Sequence, residues 1–228
     1  MKTWVLGDIH GNYKALKEVL TLSGFDYAKD KLIILGDVCD GHNKTKECVD
    51  ELLKVKNRVF VLGNHDDFLR GYLRDMDYRP HVWIYQGGTA TLSSYADGIP
   101  KAHHDFFLNE PVPYHIEDGM LFVHGGLGDS DSPEFCSIET LTWDRSMINR
   151  AKLQPIGNWP AIFVGHTTTQ GLGKDYWTTG MKGKPVPIQY NNVWCLDAGA
   201  GFDGKLCLMD IHTKKYWLSA KARAFPIG

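Results

Sequence analysis

The chain has 228 residues, with 25 basic and 27 acidic side chains for a formal charge of −2, and is 43% hydrophobic and 23% charged. That length supports one sizeable core, and the composition excludes a disordered, collagen-like or coiled-coil chain. The balanced charge argues against bulk nucleic-acid binding, and no apolar run reaches the ~18 residues that a membrane-spanning helix needs. Thr3–Leu6 is a short apolar run ending at Gly7 and reads as a strand. Tyr13, Leu16, Val19 and Leu20 recur at helical spacing, with Gly24 placed to stop the helix. Leu32–Leu35 and Val59–Leu62 are further apolar runs ending at Gly36 and Gly63, and Val49, Leu52, Leu53 and Lys56 between them suit a helix with one buried face. This β-α-β-α-β order predicts a parallel sheet, because parallel strands need crossover connections.

Asp66–Asp77 and Ala102–Leu108 read as helices, and Met120–Val123 and Ala161–Val164 as strands that stop at His124 and Gly165. Val193–Leu196, Leu206–Asp210 and Tyr216–Leu218 read as strands of an antiparallel second sheet, and Lys182–Pro187 as a loop. No linker or internal repeat divides the chain, so residues 1–228 are expected to form a single domain. A polar turn interrupts the N-terminal apolar stretch after Leu6, which argues against a signal peptide. Five cysteines, none in a C-x-x-C pair, read as reduced packing thiols of a cytoplasmic protein. Cys39, between Asp37 and Asp40, is the one expected to be open to oxidation. Nothing in the pattern selects a monomer over a small homo-oligomer.

One event repeats five times: an apolar strand ends and metal-type ligands follow at once. The sets are Gly7-Asp8-Ile9-His10-Gly11, Gly36-Asp37-Val38-Cys39-Asp40, Gly63-Asn64-His65-Asp66, His124-Gly125-Gly126 and Gly165-His166. Ligands of open α/β sheets bind at the carboxyl ends of the strands, so the five sets are expected to meet. Asp8 and His10 point to the same side of an extended chain and can hold one ion. Asp37 can bridge it to a second, for which Asn64, His124 and His166 offer an oxygen and two imidazoles. Mixed ligation of this kind suits Mn²⁺, Fe or Zn²⁺ better than Ca²⁺. Two such ions ~3.5–4 Å apart form the usual clamp for phosphate-ester hydrolysis, sharing a water whose pKa they lower.

Taken together these motifs resemble the calcineurin-like metallophosphoesterases, and within them the phosphoprotein-phosphatase branch of the phage lambda type. The resemblance covers most of the chain and includes Leu141-Thr142-Trp143-Asp144-Arg145 and Leu196-Asp197-Ala198-Gly199-Ala200. It implies an α/β fold, a four-layer α/β/β/α sandwich with two mixed sheets flanked by helices. It implies two divalent ions, Mn²⁺ foremost, with Asp8, His10 and Asp37 holding the first and Asp37, Asn64, His124 and His166 the second. His65 would be the general acid, oriented by Asp40, and Arg145 and Asn64 would bind the phosphorylated substrate, a phosphoprotein or a small phosphoester. The implied reaction is phosphomonoester hydrolysis, with phosphoserine and phosphothreonine among the substrates, by in-line attack of a hydroxide that the two ions activate.

Two departures bear on the substrate. Asp40 is followed by Gly41 and His42 where the family has Asp-Arg-Gly, so one clamping arginine, worth about 1.5–3 kcal/mol, is missing. His42, Lys44 and Lys46 are the candidates to replace it. The loss favours an alternative: a phosphodiesterase or nucleotidase acting on 2′,3′-cyclic nucleotides or dinucleoside polyphosphates. A reading of another class is a catalytically weak metal-binding regulator. Leu62 and Asp66, where eukaryotic relatives carry Arg and Glu, place the chain with bacterial or phage relatives. Gln86-Gly87-Gly88-Thr89 reads as a helix start that shapes the cleft, Trp159 and Trp177 are candidates to line it, and Tyr72–Tyr85 and Asp175–Pro187 to form its rim. His103 and His104 are adjacent and read as solvated, and His81, His115 and His212 as structural.

Overall fold

In the computed structural model, which describes residues 1–172 and 183–222, β1 (Thr3–Leu6), β2 (Lys31–Ile34) and β3 (Asn57–Phe60) pair in parallel, with Trp4 beside Leu32 and Leu32 beside Arg58. The crossovers are α1 (Tyr13–Ser23) and α2 (Thr45–Leu52). Asn12 starts α1 by accepting the Ala15 N–H, and Gly24 ends it at φ 69°, the left-handed conformation glycine adopts without strain. β1 and β2 are buried on both faces, which is why they read as continuous apolar runs, while β3 at the sheet edge is only partly covered. Trp4, Leu6, Leu32, Ile34 and Phe60 pack toward the helices, while Val5, Ile33, Leu35 and Val61 face the other way.

What they face is a second sheet. Among the described residues the strand order is β10-β9-β1-β2-β3 in the first sheet and β4-β5-β6-β8-β7 in the second. The second is built from β4 (His115–Glu117), β5 (Met120–Phe122), β6 (Ile162–Val164), β7 (Ile188–Tyr190) and β8 (Val193–Cys195), with β5, β6 and β8 parallel and the edges antiparallel. Phe122, Phe163 and Leu196 meet Val5, Ile33 and Val61 between the sheets. The outer side of the second sheet, Leu121, Val123, Ile162 and Val164, packs on Leu141, Met147 and Ile148 of α7 (Ile138–Trp143) and α8 (Ser146–Ala151). The result is the expected four-layer sandwich of two mixed sheets.

One expectation is corrected. The last three strands do not form a sheet of their own. β8 is a parallel member of the second sheet, while β9 (Cys207–Asp210) and β10 (Tyr216–Leu218) join the first, β9 running antiparallel to β1. Residues 207–210 are buried on both faces, with Leu208 toward the helices and Cys207 and Met209 toward the other sheet, so this strand needs partners on each side.

Between β3 and β4 the chain forms α3 (Asn64–Arg74), α4 (His81–Trp83), α5 (Thr89–Ser94) and α6 (Lys101–Asn109). The expected helix start at Gln86-Gly87-Gly88-Thr89 is met at Thr89, the first residue of α5, and a wide turn over residues 84–88, with Gly87 at φ 109°, joins α4 to it. His103 is not solvated. It is buried on the inner face of α6 and shares hydrogen bonds with Tyr95 Oη and Asp50 Oδ1, each 3.0 Å long. Among the described residues no helix is long and apolar enough to cross a membrane.

Candidate metal centre

The five strand-end sets converge, and backbone hydrogen bonds lock them together. Ile9 N and His10 N both donate to Asp37 O (3.0 and 2.8 Å), and Gly11 N to Val38 O. His10, Asp37, Asp40 and His166 all have positive φ, 49–70°. An L-residue in that region costs about 1–2 kcal/mol, so the surrounding contacts must over-determine the turns. The space is tight as well. A Cβ on Gly63 would lie 2.3 Å from Asp37 Oδ1, and one on Gly165 would lie 2.2 Å from Asp8 Oδ1, so only glycine lets these carboxylates occupy their places.

Ligand-type atoms of Asp37, His124 and His166 lie within 4.8 Å of one another, and so do those of Asp37, His10 and His65, which puts Asp37 in both groups. His10 Nε2 is 3.6 Å from Asp37 Oδ2, and His124 Nε2 is 3.3 Å from the same oxygen and 3.0 Å from Asn64 Oδ1. Asp8 is tied in through the His166 N–H, which donates to its Oδ2 at 2.9 Å.

The protons are assigned by the backbone. His10 Nδ1 donates to Cys39 O, His124 Nδ1 to Leu35 O and His166 Nε2 to Trp143 O. A carbonyl oxygen can only accept, so these nitrogens carry the hydrogens, and in a neutral ring the opposite nitrogen turns a lone pair inward. Burial lowers His10 to about 4, and burial with the charges of His124 and Arg145 lowers His166 to about 3, so both are neutral imidazoles. Burial also works on His124, but Asp37 and Asp8 outweigh it and lift it to about 10. The field that holds a proton there would equally hold a cation. Asp8 Oδ1 is buried and accepts no hydrogen bond. An orphan carboxylate oxygen among inward-facing lone pairs is costly, and divalent ions would satisfy it. The donor set therefore fits the metals its sequence implied.

His65 lies beside this cluster, its ring 4.9 Å from that of His10, with Nδ1 2.7 Å from Asp40 Oδ2. Burial opposes its protonation, but Asp37 and Asp40 outweigh that and raise it to about 9. Arg145 sits at the rim, its Nη1 donating to His166 O (2.8 Å) and Thr167 Oγ1 (3.1 Å). The metal-type residues singled out in the sequence, with His65, Asp40 and Arg145, are thus brought to one end of the two sheets.

Several subsidiary expectations fail. His42 does not replace the missing arginine: it is buried, its Nε2 on Ala200 O. Lys44 pairs with Glu47. Trp159 lies in a surface pocket with Asp131 and Gln154, its indole donating to Asp131 O. Trp177 and residues 175–182 of the expected rim lie outside the described residues. Cys39 is fully buried and burial raises its thiol well above the usual range, so it is not a reactive thiolate. The aromatic side chains beside the cluster are Trp143, 5.7 Å from His166 and 38% exposed, and Phe68, 5.7 Å from Trp143.

Three residues have contacts at the site that the sequence did not reveal. Trp83 and Thr91 hydrogen-bond Asp40. Asp66 accepts N–H groups from Asp37, Val38 and Gly63. A tryptophan and a threonine flanking Gly87-Gly88 were the available signal, and they gain meaning only from the contacts.

The comparisons agree with this geometry. Residues 1–193 match the sequence profile described as calcineurin-like phosphoesterase. The symmetrical bis(5′-nucleosyl)-tetraphosphatase of Methylobacillus flagellatus is 33% identical over 135 residues, 56% of this chain and 44% of that protein, so the match spans less than half of that relative. Serine/threonine-protein phosphatase 1 of Salmonella typhimurium is 25% identical over 212 residues, 91% of each chain. Among solved structures, a candidate diadenosine tetraphosphatase aligns with a TM-score of 0.69 at 16% identity, covering 99% of this chain and 94% of that one. With a family profile matching most of the sequence and the fold shared end to end, the chain belongs to the calcineurin-like phosphoesterases.

Proposed function

We propose that this chain hydrolyses dinucleoside polyphosphates symmetrically, at the central phosphoanhydride. The observation that carries this reading is the sparse positive charge around the centre. Gly41 stands where the family pattern has an arginine, and His42 and Lys44 are engaged elsewhere. A terminal phosphomonoester presents two negative charges at the attacked phosphorus and an internal anhydride presents one, so fewer cationic side chains are needed. The tetraphosphatase relative supports the same substrate class. Trp143 and Phe68 offer an aromatic wall suited to a nucleobase.

In this reading Asp8, His10 and Asp37 hold one divalent ion, and Asp37, Asn64, His124 and His166 a second, with Mn²⁺ the preferred metal and Fe or Zn²⁺ compatible. The ions, when bound, neutralise phosphoryl charge and acidify water. Arg145 anchors phosphoryl oxygens, its guanidinium already oriented by His166 O and Thr167. Asn64, its Oδ1 3.0 Å from His124 Nε2, is assigned to the substrate as well as to the second ion. His65, with its Nδ1–H held by Asp40, gives the proton on Nε2 to the departing oxygen. Residues 1–228 then act as one domain in a reducing, cytoplasmic setting, a reading that the five free cysteines support.

The test is product analysis with Mn²⁺-loaded protein on diadenosine tetraphosphate. Two ADP per substrate is the expected outcome; ATP with AMP, or no cleavage, overturns the reading. A second reading, phosphoserine/phosphothreonine hydrolysis, is favoured by the end-to-end match to the Salmonella phosphatase. It predicts a higher kcat/KM on a phosphothreonine peptide than on the dinucleotide.

A further inference from the structure

Asp40 receives more donors than a carboxylate needs to hold one histidine. Besides His65, its Oδ2 accepts the Trp83 indole N–H at 3.0 Å and its Oδ1 accepts the Thr91 hydroxyl at 2.7 Å. The Thr91 oxygen in turn accepts the Asp40 N–H at 2.8 Å, closing a ring between backbone and side chain. A carboxylate has about four lone-pair sites, and three side-chain donors leave its plane little freedom. Asp40, Trp83 and Thr91 are all fully buried, so no water competes for these bonds.

Both added donors come from one segment, eight residues apart in the chain. They converge because the helix breaks between them. Gly87 lies against the Asp40–Gly41 turn, where a Cβ would come within 2.5 Å of Gly41 N, and a Cβ on Gly88 would strike the Trp83 ring at 2.7 Å. Tyr72 backs the indole, with ring centroids 5.6 Å apart.

We propose that Trp83 and Thr91 are positioning residues for proton donation: they fix the Asp40 carboxylate, and through it present the His65 ring to the leaving oxygen. The Gly87-Gly88 kink is the device that brings both donors to one carboxylate. This inference rests on the assignment of His65 as the acid. Removing either donor lets the carboxylate turn and the imidazole follow, and the loss falls where the leaving group needs its proton. An ester with a good leaving group, such as p-nitrophenyl phosphate, departs without help. Phenyl phosphate does not.

The variants are Trp83→Phe, Thr91→Val and Thr91→Ser, with His65→Asn as control, all loaded with Mn²⁺. Losing one hydrogen bond to the Asp40 carboxylate is expected to lower kcat on phenyl phosphate roughly tenfold, and on p-nitrophenyl phosphate less than about twofold, with KM little changed. Thr91→Ser restores the wild-type ratio. A direct readout, taken on protein loaded with diamagnetic Zn²⁺, accompanies the kinetics: the His65 Nδ1–H proton resonance, sheltered by Asp40, exchanges with water faster in Trp83→Phe and Thr91→Val. Equal losses on both esters together with an unchanged exchange rate overturn the positioning role. If His65→Asn itself shows no leaving-group bias, the acid assignment has failed instead. If Trp83→Phe does not fold, Thr91→Val and its serine rescue carry the test.

Discussion

Replacing Asp66 with asparagine should loosen two metal-bearing loops at once. The Asp66 carboxylate is fully buried at the start of α3. Its Oδ2 accepts N–H groups from Asp37 (2.6 Å) and Gly63 (3.2 Å), and its Oδ1 the N–H of Val38 (2.9 Å). One side chain thus ties the loop after β2 to the loop after β3. The amide of Asp66→Asn would keep the shape but turn one acceptor oxygen into an NH₂ group, facing backbone donors that then have no partner. At roughly 1.5 kcal/mol for each of two lost charge-assisted bonds, the change costs about 3 kcal/mol. For a chain of this size that corresponds to a fall in Tm of roughly 6–12 °C. If the distortion falls on the metal-bound state instead, Mn²⁺ binding weakens by about a hundredfold. Thermal melts with and without Mn²⁺, together with calorimetric titration, apportion the two. An Asp66→Asn protein with wild-type Tm and wild-type Mn²⁺ affinity would refute the reasoning.

Three other outcomes follow from the same contacts. Glu51 is almost fully buried, and burial would raise its pKa, but Lys54, Tyr27 and Lys17 outweigh that and bring it to about 2 from 4.5. A depressed carboxylate stabilises the fold above its unfolded pKa and loses that contribution as pH falls toward the folded value, here about 3 kcal/mol between roughly pH 4.5 and 2. The Tm gap between wild type and Glu51→Gln should therefore narrow across that window, and a constant gap contradicts the assignment. Gly165→Ala should displace the Asp8 carboxylate, cutting turnover about a hundredfold with an unchanged circular dichroism spectrum; retained activity would mean that Asp8 tolerates the move. Arg145→Lys keeps the charge but loses the oriented fork, so KM should rise about tenfold while kcat holds; a fall confined to kcat would place Arg145 in the chemical step.

The ligand set was legible because each ligand follows directly on a buried strand, so a local apolar run locates a residue such as Asp37 at a sheet end without any tertiary information. The parallel β1–β3 unit was legible for the same reason, although β3 lies at residues 57–60, two earlier than its apolar run suggests. Sheet membership of the last strands was not. Whether Leu206–Asp210 pairs with β8 or with β1 is decided by which sheet edge is open, and the residues themselves carry no trace of it. The short strands β4 and β7 and the short helices α7 and α8 gave too few residues for a period to show. His103 illustrates a different limit: two adjacent histidines cannot share a helix face, but that rule does not say that both face water. Trp83, Thr91 and Asp66 act across 25 or more positions of sequence, on Asp40 or on the Asp37 loop, and no short motif encodes such contacts.

In the proposed reaction Asp8, His10, Asp37, Asn64, His124 and His166 hold two divalent ions that share Asp37, and hydrolysis depends on them. Equilibrium dialysis against Mn²⁺ with elemental analysis, on wild type and Asp37→Asn, tests it most directly. About two ions per wild-type chain, fewer than one for Asp37→Asn, and turnover of diadenosine tetraphosphate that falls in parallel are the predicted results. Two ions retained by Asp37→Asn, or a wild type that hydrolyses the substrate with no metal bound, would contradict it.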